Sequence, residues 1–126
     1  MLLSVYLTGL AKIIEDHSKT DLIIASELNV DYRTDKMGMV EGTITFIDDS
    51  HLYFTEYLDV RYKVEKLTYS FHYQSQNGSL ILRYDNAGHK PRLKFINHKH
   101  STTGISAEEA VPELHAVLSE IMTYLV

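Results

Sequence analysis

Residues 67–85 read LTYSFHYQSQNGSLILRYD. Two strand-like runs flank Gln76-Asn77-Gly78-Ser79. Asn-Gly between alternating apolar residues is a strong hairpin signal, because both positions tolerate positive φ. A two-residue turn at Asn77-Gly78 sets residue 73 opposite 82, 72 opposite 83, 71 opposite 84 and 70 opposite 85. Strand side chains alternate between faces. Phe71, Tyr73, Leu82 and Tyr84 therefore share a core face, and Ser70, His72, Arg83 and Asp85 share the other.

The same alternation extends outward from this hairpin. Leu67 and Tyr69 continue the core face of its first strand. Leu52, Phe54, Glu56 and Leu58 share one face of the strand before it. Val40, Gly42, Ile44 and Phe46 mark another, closed by a turn at Asp48-Asp49-Ser50. Asp21 to Arg33 reads as the first strand, and Leu93 with Phe95 suggests a short one after the hairpin. Leu3, Tyr6, Leu7, Leu10, Ile13 and Ile14 recur at helical spacing, which predicts a helix over 2–17. Leu114, Val117, Leu118, Ile121, Met122 and Leu125 make a second helical stripe, with Pro112 suited to its first position. The predicted class is α+β: an antiparallel meander of about five to six strands, with N-terminal and C-terminal helices packed on one face. Residues 1–126 form one domain in this reading, without a repeat or linker. A site belongs on the uncovered face.

The chain has no cysteine, which excludes disulfides, thiolate nucleophiles and Cys-type zinc sites. No run approaches the ~18 apolar residues of a membrane span. The N-terminus reads as an amphipathic helix, not a signal peptide, so a cytoplasmic protein is expected. The glycines form no phosphate-binding loop, and no cofactor is expected.

The net charge of −5 is unevenly spread. Residues 83–100 carry Arg83, Lys90, Arg92, Lys94 and Lys99 against Asp85 alone. Residues 101–126 carry four glutamates and no Lys or Arg. A local basic patch can bind an anion on an acidic body, because screening limits the reach of the rest to ~8 Å. A solvated strand and loop is the plainer reading.

Three sets of residues carry candidate chemistry. The first is histidine. Register places His72 beside Arg83, and His98-x-His100 in a strand points both rings to one face. With His89 they could supply three metal ligands, or acid–base groups that titrate near neutral pH. They could equally be solvated loop residues. The second is Glu56, a carboxylate at a core position. Burial there would tune it as a proton acceptor, or it is a structural ion pair with Arg83 or Lys66. The third is the tyrosine set, including Tyr53, Tyr57, Tyr69, Tyr73 and Tyr84. Such residues stack bases in some sheets but are more often half-buried sheet residues.

Several of these residues fall in a recognisable order. Tyr69-Ser70-Phe71-His72-Tyr73-Gln74, Gly78, Leu80, Arg83-Tyr84-Asp85-Asn86-Ala87, His89 and His98-x-His100 together resemble the TumE family of small toxins from toxin–antitoxin operons. The block Glu41-Gly42-x-Ile44-x-Phe46-x-Asp48 with Leu52-x-Phe54-x-Glu56-Tyr57 resembles the same family. The likeness runs from about residue 20 to 124. It implies a toxin silenced by a helix-turn-helix antitoxin encoded nearby. Gly88 and Lys90 stand where the family usually has proline and histidine, and Asp49 stands where glycine is usual. The lost histidine weakens a metal reading at His89, His98 and His100.

The expected function is a toxin acting on RNA by metal-independent acid–base chemistry. His72 and one of His98 or His100 share proton transfer, Arg83 and Lys94 hold phosphate, and Glu56 or Asp85 orients a histidine. Tyr73, Asn86 and His89 are further binding candidates. The alternative is a non-enzymatic module that binds an antitoxin or anionic ligand through its sheet face. Pairing of the acidic C-terminal segment with a neighbour's basic stretch would make a homodimer.

Overall fold

A computed structural model of the chain describes residues 1–86, 97–107 and 111–125. Helix α1 spans Leu3–Ser18. Strands β1 (Ile23–Thr34), β2 (Met37–Phe46), β3 (His51–Asp59), β4 (Glu65–Gln74), β5 (Leu80–Asp85), β6 (His98–Ser101) and β7 (Gly104–Ala107) follow, then α2 (Leu114–Leu125). The strands form one antiparallel sheet in sequence order. The fold is α+β, with seven strands among the described residues rather than five or six. Among the same residues, no helix is long and apolar enough to cross a membrane.

Leu3, Leu10 and Ile14 of α1 and Leu114, Val117, Leu118 and Ile121 of α2 are buried. They join one core with Val40, Ile44, Phe46, Leu52, Phe54, Leu58, Phe71, Tyr73 and Leu82. Each fully buried Leu or Phe contributes about 1.5–3 kcal/mol relative to exposure. No side chain caps α1; the backbone carbonyl of Asp35 instead accepts from the Leu3 N–H at 2.8 Å. Pro112 lies two residues before α2 rather than at its first position. The carbonyl of Glu113 accepts the first helical bond, from Val117.

The hairpin register is the one predicted: Tyr73 faces Leu82, His72 faces Arg83, Phe71 faces Tyr84 and Ser70 faces Asp85. The turn that achieves it differs. Ser75 N–H donates to Ser79 O at 2.9 Å, and Gly78 N–H donates to Ser75 O at 2.9 Å with Gly78 at φ 87°. The loop is thus three residues, Gln76 to Gly78, and Gln74 faces Leu80. A bulge at Ile81 then restores the predicted pairing.

A second bulge corrects an expectation. Tyr57 pairs with Thr68, but Leu58 pairs with Lys66. Leu67 is skipped and stands 41% exposed instead of joining the core face. Because the strand period is two, the skip turns Lys66 inward. The expected strand at Leu93 and Phe95 lies outside the described residues. Strand β7 was not expected, because Gly104-Ile105-Ser106-Ala107 has no apolar alternation long enough to announce a strand.

Candidate functional site

The sheet separates two polar clusters. The first lies beneath the helices. Glu56 is fully buried and accepts from the Tyr6 hydroxyl at 2.6 Å. Lys66, turned inward by its bulge, places Nζ 2.6 Å from the other Glu56 oxygen. It also donates to the Pro112 carbonyl at 2.8 Å, lies 3.5 Å from Glu113 and sits over the Phe71 ring. Burial, and then the Glu56 charge, push the Tyr6 hydroxyl well above its ordinary pKa. Glu56 is therefore a member of a structural ion pair with Lys66. It faces away from His72, His98 and His100.

Farther along this covered face, Tyr84 donates to Glu120 of α2 at 2.5 Å, and Lys99 reaches the same carboxylate at 2.9 Å. Burial, followed by the Glu120 bond, pushes the Tyr84 hydroxyl up to about 12. These contacts anchor β5 and β6 on α2. Tyr73 is also on this side, fully buried, with its hydroxyl 2.8 Å from Ser50. Asn86 extends the sheet by side chain: it accepts from the Tyr69 N–H at 3.0 Å and donates to the Leu67 carbonyl at 3.1 Å. It thereby satisfies the carbonyl of the bulged Leu67 and the N–H two residues beyond it.

The second cluster lies on the open face. Cross-strand pairing aligns Tyr53, His72, Arg83 and His100 in one row, and Thr55, Ser70, Asp85 and His98 in the next. This follows from the hairpin register plus the alternation of His98 and His100. Asp85 is 2% exposed and organises the group. Its Oδ1 lies 3.2 Å from His98 Nδ1, and its Oδ2 lies 3.1 Å from His100 Nε2. Arg83 Nε donates to the same Oδ2 at 2.9 Å. The other end of the guanidinium, Nη1, is 3.2 Å from His72 Nδ1. A guanidinium only donates, so His72 Nδ1 is the acceptor. His72 Nε2 then carries the proton and donates to Gln74 Oε1 at 3.0 Å.

Short Thr55 and Ser70 leave a shallow groove of about 280 Å³ beside these residues, walled by Tyr53, His72, Arg83 and Glu41. Of the sequence candidates, His72, Arg83, Asp85, His98 and His100 meet here. Glu56 and Tyr73 face the helices, and Asn86 binds backbone. His89 and Lys94 lie outside the described residues. Gln74 was not singled out from the sequence, although its place two residues after His72 puts it on the same face. Chemically, the group offers two imidazoles on one carboxylate, a third imidazole on a shared guanidinium, and a groove alongside. Asp85, His98 and His100 each offer a metal-ligand atom, all within 4.8 Å of one another.

Comparison with curated proteins gave no match, and comparison with solved structures gave none. A family model described as toxin TumE matches residues 10–126. That span includes every described strand, α2, the open-face cluster and the Glu56–Lys66 pair, but not Tyr6. A toxin-like role, with an antitoxin partner in general, comes with the match: the chain belongs to the toxin TumE family.

Proposed function

We propose that this toxin acts on RNA, as a ribonuclease or RNA-modifying enzyme, by acid–base chemistry that needs no metal. The observation that carries the reading is the Asp85 carboxylate, which gathers His98, His100 and Arg83 while Arg83 reaches His72. In the ribonuclease form, one imidazole takes the proton of a ribose hydroxyl and another protonates the leaving oxygen. His72 and one of His98 or His100 hold those roles. Arg83, with Lys94, holds the phosphate and stabilises its developing charge. Asp85 fixes ring orientation, the role the sequence divided between Glu56 and Asp85. Outside the RNA encounter, a helix-turn-helix antitoxin encoded nearby holds the toxin silent.

The test is incubation of purified protein with total RNA, comparing wild type with His72→Ala and Arg83→Ala. Wild type should cleave or modify RNA, and both variants should lose at least about 10²-fold in rate. The reading fails if wild type leaves RNA untouched while both variants remain as toxic as wild type.

A second reading is favoured by one observation: His98 is only 2% exposed, as a structural histidine would be. In that reading the open face binds an antitoxin or an anionic ligand, and the histidines hold β6 in place. Replacing His98 and His100 together should then leave antitoxin affinity nearly unchanged. A tenfold loss, about 1.4 kcal/mol, counts against it.

A further inference from the structure

His98 and His100 are two residues apart on β6, so their rings leave the sheet on the same side. Asp85 faces His98 across the β5–β6 ladder. A tetrahedral ion with bonds of about 2.0–2.2 Å wants donor atoms roughly 3.4 Å apart. His98 and His100 stand 3.2 and 3.1 Å from the two Asp85 oxygens. The three donors all lie within 4.8 Å of one another, near the spacing an ion needs.

The surroundings suit an ion as well. Asp85 and His98 are buried, while His100 keeps partial exposure. An ion can therefore enter past His100 and be held where water competes little. Arg83 Nε donates to Asp85 Oδ2 at 2.9 Å and helps fix the carboxylate, as outer hydrogen bonds do for metal ligands. Two imidazoles and one carboxylate favour borderline divalent ions such as Zn²⁺ over Mg²⁺ or Ca²⁺, which seek oxygen.

We propose that Asp85, His98 and His100 form a binding site for one divalent transition-metal ion. The set shares His98 and His100 with the one considered from sequence and takes the Asp85 carboxylate as its third donor; His89 lies outside the described residues. A bound ion takes both imidazoles as ligands and so suppresses proton transfer by His98 or His100. That consequence alone rests on the RNA reading; the binding does not.

The experiment is calorimetric titration of chelator-stripped, tag-free, full-length protein with ZnCl₂, and separately with MgCl₂. His17 and His115 also lie close, with ring centroids 5.2 Å apart, so they provide the control. Expected are one Zn²⁺ per chain, no comparable Mg²⁺ binding, and affinity weakened about tenfold or more in Asp85→Asn and His100→Gln. His115→Gln should bind like wild type. Circular dichroism confirms folding of each variant. Should Asp85→Asn unfold, His100→Gln decides, because its side chain is at the cluster's exposed side. The proposal is overturned if wild type binds no stoichiometric Zn²⁺, if His100→Gln binds as tightly as wild type, or if His115→Gln abolishes binding. No RNA enters this titration, so its failure and a failure of the RNA reading are separate results.

Discussion

Glu56 and Asp85 are both buried carboxylates, yet each is held by a different kind of partner. Glu56 is held by Lys66 and Tyr6 on the covered face. Asp85 is held by Arg83 and two histidines on the open face. Alternation in the sequence was enough to assign these two faces. It offered Arg83 or Lys66 as the partner of Glu56 and could not choose between them, because a regular strand would point Lys66 away. Removing one member of a buried pair costs about 3–5 kcal/mol, since the other is left charged and uncompensated. Lys66→Met is expected to destabilise by that amount in urea denaturation. Adding Glu56→Gln should recover part of the loss. A single variant within about 0.5 kcal/mol of wild type would mean that the pair is not structural.

Two bulges did the work that propensity could not announce. In the hairpin, Tyr69, Phe71 and Tyr73 must share the core with Leu82 and Tyr84. A three-residue loop alone would slip the strands by one residue and send one set into water. The Ile81 bulge absorbs the slip, so the predicted register survives a turn that differs from the one expected. At Leu67 the other bulge exposes a leucine and buries a lysine, a reversal that hydrophobic pattern points away from. Strand β7 escaped for a third reason: it is four residues long, with every residue exposed. The loop itself depends on Gly78 at φ 87°, where a Cβ is strained although no neighbour crowds it. Gly78→Ala should therefore cost about 1–2 kcal/mol in thermal or chemical unfolding, with the open-face cluster intact. A neutral or stabilising effect would contradict this loop geometry.

Across the whole molecule, the sheet divides labour. Helices cover one side, where apolar side chains, the Glu56–Lys66 pair and the Tyr84–Glu120–Lys99 contacts hold the fold together. The opposite side bears the histidine, arginine and aspartate groups with the groove. The division was legible in the sequence because a period of two sorts residues by face, and the family resemblance pointed to the same residues. Which polar groups touch was not legible, since that depends on how neighbouring strands align. Growth arrest on induced expression, with equal folded protein verified for each variant, tests the resulting claim most directly. The claim is that the toxin acts through its open face. Asp85→Asn is predicted to abolish arrest, whereas Tyr84→Phe on the covered face is predicted to retain it. Arrest undiminished in folded Asp85→Asn would contradict the account.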